Sequence, residues 1–280
     1  MTNDTIDMLL YGSLGLIYEL YTIVVVVLMN YPLKEDTSSS SIANNNNDAI
    51  MTSQSQTNKP ILGYWKIRGL ASSIRYQLIY SGIEFDEEVY EQGDALSEYS
   101  RDEWMKTKYK LGLEYPNLPY LKDGNEYKLT ESGAIHRYCA RKWCPELLCY
   151  NDEELYGKAE MVWGVVSDIK GFVTMNCYRG DGDKKSLSNA AIPRFAFVAK
   201  QLENNKYLVG DKLCCADFAL MELIEMMDFI SNGEIYKTYP SLQYYRNRMF
   251  SLPKVKEYYE DKRSNAQKLQ FNNKSAKINN

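Results

Sequence analysis

The chain reads as an α/β N-terminal domain of order βαβαββα followed by an all-α C-terminal domain. Three observations carry that reading. Between residues 60 and 142, short apolar runs alternate with helical stretches. Beyond residue 150 strand signals nearly vanish, and apolar residues recur at helical spacing. Residues 1–59 fit neither pattern. The 280 residues, 45% hydrophobic and 25% charged, leave room for two modest cores.

The elements follow in order. Pro60–Lys66 (PILGYWK) is a short apolar strand, ended by Arg68-Gly69. Ser72 or Ser73 offers a cap for a helix running to about Tyr80, which Ser81-Gly82 closes. Glu84–Tyr90 alternates as a second strand, and a charged helical segment spans Arg101–Lys110. Two extended runs, Leu118–Leu121 and Tyr127–Leu129, flank Asp123-Gly124 and so read as a hairpin. Thr130-Glu131-Ser132 then opens a helix through about Lys142, completing a domain over residues 60–142. In residues 150–265, helical periodicity fits Asp152–Cys177, Leu187–Leu202, Cys215–Ile230, Ser241–Met249 and Lys254–Lys262. Residues 266–280 read as a polar tail.

Residues 8–29 carry one charge, Glu19. A helix of that length spans roughly 33 Å, enough for a hydrocarbon core. Residues 1–33 therefore read either as an N-terminal membrane anchor or as an extension foreign to the mature protein. Lys34 is the only flanking base, so an anchor's orientation is undetermined. Residues 34–59, with SSSS and NNNN, are too polar to pack and read as a flexible linker. Within them Met51 opens MTSQSQTNKPILGYW, a short polar lead into the first strand.

Charge excludes some functions. Residues 1–59 hold two basic and six acidic side chains, leaving 31 of each in residues 60–280. A neutral globular part argues against a nucleic-acid binder. The six cysteines show no CxxC spacing, and a chain this long needs no disulfide scaffold, so free thiols of a cytoplasmic-type compartment are expected. His136 is the only histidine, which makes a His-rich zinc site or a Ser/His/Asp triad hard to build; it reads as a surface or groove side chain. No metal is expected.

The motif LGYWKIRGL (62–70), then LGLEYPNLPYL (111–121), Asp123-Gly124 and Glu131-Ser132, resemble glutathione transferases of the mu class. The resemblance runs from about Ile61 to Ile135 and more loosely to about residue 263, through VGDK (209–212) and Ala216-Asp217-Phe218. It implies a thioredoxin-like N-terminal domain, glutathione as co-substrate, and a homodimer. Tyr64 matches the catalytic tyrosine, and a phenol that donates to sulfur favours the thiolate. The resemblance assigns Trp65, Leu70 (through its backbone), Asn117, Leu118 and Pro119 to the tripeptide, Pro119 matching a cis proline. Glu131 and Ser132 match the carboxylate-binding strand-to-helix turn, where free backbone N–H groups suit an anion. Arg101, Trp104 and Lys108, at i, i+3 and i+7, share a helical face and match groups reaching the glycine carboxylate. Asp168 matches a carboxylate that reaches the partner subunit's glutathione, and Tyr178 a tyrosine that assists electrophiles. Ile67, Leu70, Met175, Tyr178 and residues after Leu252 are candidates for the acceptor pocket.

Three departures stand out. Glu131 replaces the mu glutamine. Tyr115 stands where mu enzymes insert a phenylalanine as a dimer key. Cys214 replaces the Ser or Thr of a capping box, a poor cap whose loss costs roughly 1 kcal/mol. The expected function is conjugation of glutathione to small hydrophobic electrophiles. An apolar-ligand carrier of the same fold, or a glutathione-dependent isomerase of prostaglandin-type lipids, is the alternative. Membrane association is expected only if residues 8–29 are a genuine anchor. Cys139, Cys144 and Cys149 read as packing residues rather than sites of mixed disulfides.

Overall fold

A computed structural model describes residues 59–125, 127–261, 264 and 268–279. The apolar run 8–29 and the linker up to residue 58 lie outside the described residues. A four-stranded sheet of order β2-β1-β3-β4 is built from β1 (Ile61–Trp65), β2 (Asp86–Tyr90), β3 (Tyr120–Asp123) and β4 (Tyr127–Thr130). β1 pairs parallel with β2 and antiparallel with β3, and the Asp123-Gly124 turn joins β3 to β4 as the hairpin signal predicts. Gly63 stands opposite Tyr120 in the β1–β3 ladder. A Cβ there would meet the Tyr120 ring at 2.0 Å, so glycine is what lets that fully buried ring cross the strand.

Three helices belong to the sheet domain: α1 (Gly69–Tyr80), α2 (Asp102–Thr107) and α3 (Ser132–Trp143). α1 begins earlier than its serines suggest. Ser72 and Ser73 are not caps but buried interior residues, because α1 lies between the sheet and the helical half, where both its faces are covered. α2 is shorter than the charged stretch that contains it. Trp104 turns into the core against Tyr90 and Tyr120, while Arg101 is exposed just before the helix and Lys108 follows it. Arg101 and Lys108 thus cap the two ends of the helix, the Arg101 carbonyl accepting from the Met105 N–H (3.0 Å) and the Lys108 N–H donating to the Trp104 carbonyl (2.9 Å).

The second half comprises α4 (Glu153–Arg179), α5 (Lys184–Ala191), α6 (Ala196–Asn204), α7 (Cys215–Ser231), α8 (Glu234–Thr238), α9 (Pro240–Phe250) and α10 (Pro253–Glu260). The stretch expected as one helix over Leu187–Leu202 is two, separated by a 3₁₀ turn at Ile192–Phe195 that contains Pro193. α7 is buried on nearly all sides, the signature of a central helix. Its start corrects the expectation of a poor cap: the Asp217 carboxylate accepts from the backbone N–H of Cys214 (2.8 Å) and Leu208 (3.1 Å) and from the Tyr245 hydroxyl (2.9 Å). The Cys214 side chain faces the Asp217 N–H in return, so both halves of a capping box are present with sulfur in the place of the serine oxygen.

Residues 268–279 are not the free polar tail their composition suggests. Ala276 and Ile278 are buried, and the carbonyls of Gln270 and Phe271 accept from the backbone N–H of Arg68 (2.8 Å) and Gly69 (3.1 Å). The segment thus closes over the loop between β1 and α1. Among the described residues no helix is long and apolar enough to cross a membrane.

Candidate active site

The cleft begins where β1 runs into α1. Tyr64 is the fourth residue of β1, and the chain turns at Lys66–Arg68 so that the N-terminus of α1 faces back toward it. The backbone N–H of Leu70 donates to the Tyr64 hydroxyl at 3.1 Å. That oxygen is an acceptor here, which leaves its own proton to donate into the cleft. Gly69 makes the approach possible: its φ is +43°, and a Cβ would stand 2.7 Å from the Tyr64 oxygen. Tyr64 is only 7% exposed, and burial pushes its pKa well above the ordinary phenol range, opposed in part by the Leu70 N–H. At neutral pH it is an un-ionised donor.

Tyr64 faces a cavity of about 220 Å³ lined also by Trp65, Ile67, Leu70, Lys170, Tyr178 and Phe271. Beside it a larger cavity, about 590 Å³, is lined by Leu70, Ser132, His136, Trp163, Lys170, Tyr178 and others. Lys170, Thr174 and Tyr178 border both, at i, i+4 and i+8 on one face of α4. The Tyr178 hydroxyl accepts from the Asn273 N–H at 2.8 Å, so the C-terminal segment holds it at the cavity wall. Met175 lines the larger cavity and Ile67 the smaller.

At the same end of the sheet as Tyr64, just before Tyr120, which pairs with Gly63 of β1, Leu118 and Pro119 are buried and joined by a cis peptide bond. Asn117 Nδ2 donates to Glu131 Oε1 at 3.1 Å. Glu131 holds φ at +67°, a left-handed conformation uncommon for a non-glycine residue, at the N-terminal position of α3. Strain of this kind concentrates at ligand-binding turns. Ser132 follows it at the border of the larger cavity.

The structure thus brings Tyr64, Trp65, Leu70, Ser132 and Tyr178 to the two cavities and pairs Asn117 with Glu131. Arg101, Trp104, Lys108 and Asp168 border neither cavity, and Asp168 is exposed on α4. His136 is not at the surface. It is buried on the wall of the larger cavity, with Nε2 on the Ser73 hydroxyl (3.0 Å) and Nδ1 on the Gln77 amide oxygen. Burial lowers its pKa to about 3, which removes it as a base at neutral pH. All six cysteines are free, and burial raises the thiols of Cys139, Cys144 and Cys149, consistent with packing roles. Among the described residues no three His, Cys, Asp or Glu side chains gather as metal ligands.

Sequence reasoning missed the ion pair of Lys170 and Glu222, and the C-terminal residues Phe271, Asn272 and Asn273. The signal for Lys170 lay in its spacing from Tyr178. The partner of a buried charge and the path of a polar segment had no signal at all.

A thioredoxin-like sheet with a cis proline, a buried phenol at the end of its first strand, and a helical domain forming the opposite wall together enclose one cleft. The comparisons name the family. The N-terminal domain of glutathione S-transferases matches residues 60–141, and the C-terminal domain of that family matches residues 167–262. Glutathione S-transferase Mu 1 of Bos taurus is 37% identical over 205 residues, covering 72% of this chain and 91% of the relative. Mu 1 of Rattus norvegicus is 36% identical over the same shares. Among solved structures, the glutathione S-transferase Blo t 8 superposes with a TM-score of 0.69 at 28% identity, covering 79% of this chain and 100% of that one. A Pi-class enzyme of Onchocerca volvulus gives 0.66 at 27% identity, with 78% and 99% covered. The chain belongs to the glutathione S-transferase family, with relatives in the Mu class, and is a glutathione transferase.

Proposed function

We propose that the Tyr64 hydroxyl stabilises the glutathione thiolate, which then attacks small hydrophobic electrophiles lying against α4. The observation that carries this reading is the Leu70 N–H donated to the Tyr64 oxygen at the mouth of the cavity. With its lone pair engaged and its pKa raised, the phenol presents a proton that a sulfur anion can accept. The thiol proton leaves to solvent, the sulfur forms the new bond, and the leaving group or the acceptor's electron pair departs from the attacked carbon. The tripeptide lies along Trp65, Leu70, Asn117–Pro119 and Glu131-Ser132, with Arg101, Trp104 and Lys108 toward its glycine end. Tyr178 stands on the electrophile side.

The test is glutathione conjugation to chlorodinitrobenzene by the full chain and by Tyr64→Phe. The variant should lose about tenfold or more in kcat/KM, as expected for a donor used on a developing or stabilised anion. Folded wild type that binds glutathione but turns over no faster than the variant supports the apolar-ligand carrier or the lipid isomerase instead.

We infer a homodimer as well. Tyr115 is 71% exposed beside the sheet domain. An apolar hollow on the helical domain, lined by Leu155, Met161, Val162, Val165, Phe197 and Val198, includes the exposed Met161 and Phe197. A second copy offers its Tyr115 to that hollow, and exposed Asp168 on the same helix then faces the partner's glutathione. Tyr115→Ala should weaken the dimer about a hundredfold or more by sedimentation equilibrium, as removal of an aromatic anchor does. An unchanged dissociation constant would remove Tyr115 as the key. The free thiols suit a reducing, cytoplasmic compartment.

A further inference from the structure

Lys170 and Glu222 form the only acid–base pair among the lining residues of the Tyr64 cavity. Their charged atoms lie 2.6 Å apart, Lys170 is 8% exposed and Glu222 1%. Neither oxygen of Glu222 takes a further hydrogen bond. Among the described residues Glu222 is the sole ionic partner of Lys170. A buried ion pair this bare is costly unless a third group completes it. An ammonium has three N–H donors, and one carboxylate oxygen occupies one of them. The lysine also borders the larger cavity, one helical turn from Thr174 and two from Tyr178. It therefore stands between the space beside Tyr64 and the space open to an acceptor.

We propose that Lys170, held in place by Glu222, is a catalytic residue on the electrophile side that binds the acceptor's oxygen, and that it selects conjugated carbonyl acceptors over saturated halides. This deepens the thiolate reading above and rests on it. The sulfur anion forms a bond to the β-carbon of an enone. The C=C electron pair shifts toward the carbonyl carbon, and the C=O pair moves onto oxygen, giving an enolate. That oxygen takes an N–H of Lys170 while its charge develops. Water then supplies a proton to the α-carbon, and the lysine keeps its own. A saturated halide expels its halide ion and develops no such oxygen, so it gains nothing from this donor.

The experiment uses the full chain with glutathione and two electrophiles, 4-phenyl-3-buten-2-one and benzyl chloride. Lys170→Met should lower the enone-to-halide ratio of kcat/KM by about tenfold to a hundredfold. Lys170→Arg, which keeps a donor, should recover most of the enone rate. Because Lys170→Met strands a buried carboxylate, the same ratio is measured in Lys170→Met with Glu222→Met, which removes both charges together. An enone-to-halide ratio unchanged in both variants overturns the role of Lys170 while leaving Tyr64 untouched. Wild type that turns over neither electrophile overturns the thiolate reading and this one with it.

Discussion

On the sheet side of the cleft, functional groups are placed by backbone. Tyr64 is fixed by its strand register, by the Leu70 N–H and by a glycine at positive φ, and Glu131-Ser132 by a strained turn at the start of α3. On the helical side they are placed by side chains held in pairs. Lys170 leans on Glu222, and Tyr178 on a backbone N–H of the C-terminal segment. Arg68, from the loop between β1 and α1, reaches Glu225 on α7 at 3.2 Å. Backbone geometry changes little when a side chain is exchanged, whereas paired side chains change with every substitution. A thiol site common to many acceptors belongs on the first kind of scaffold, and an acceptor site that sets selectivity on the second.

The sharpest way to break that comparison is to add one carbon on the backbone side. Gly69→Ala places a methyl 2.7 Å from the Tyr64 oxygen, at a φ of +43°. It should cost about 1–2 kcal/mol in stability, read by urea denaturation, and about tenfold or more in kcat/KM. Wild-type activity in this variant would show that the Tyr64–Leu70 contact is not needed.

The junction of the two halves gives a medium effect. His136 on α3 touches Ser73 and Gln77 of α1 and packs its ring 5.1 Å from Trp163 of α4. Its folded pKa, lowered to about 3 from 6.5, means the unfolded state binds more protons as pH falls below 6.5. This share of stability is complete above pH 6.5 and is lost progressively toward pH 3. Between pH 7.5 and 5.5 the protein should lose about 1.4 kcal/mol that His136→Gln does not lose, measured by urea midpoints at each pH. Parallel losses in both proteins would mean the ring titrates freely when folded.

The smallest effect belongs to the helical half. Cys214→Ser supplies a better acceptor at the start of α7, beside an Asp217 that already binds three donors. Thermal unfolding should show a gain of about 0.5–1 kcal/mol with conjugation rates unchanged. A loss of stability would show that burial of the hydroxyl outweighs the cap.

Much of the sheet half was legible in the sequence because its signals are local. A hairpin announces itself by Asp123-Gly124, and the LGYWKIRGL and PNLPYL motifs carry Tyr64 and Pro119 to their places. The helices of the second half were legible as periodicity, except where Pro193 divides one and where α8 is too short to show a period. Ser72 and Ser73 misled as caps, since nothing local says that α1 will be covered on both faces. Trp104 likewise gave up its place on a polar helical face to the Tyr90 and Tyr120 rings.

What the sequence determined by itself was the order of elements, the family and the position of the phenol at the end of the first strand, because each rests on residues close together in the chain. What only the tertiary structure decided was the far side of the cleft. Lys170 and Glu222 are 52 positions apart, and Tyr178 meets Asn273 across 95. The burial that makes those contacts strong comes from packing α4, α7 and the C-terminal segment together, which no local pattern encodes.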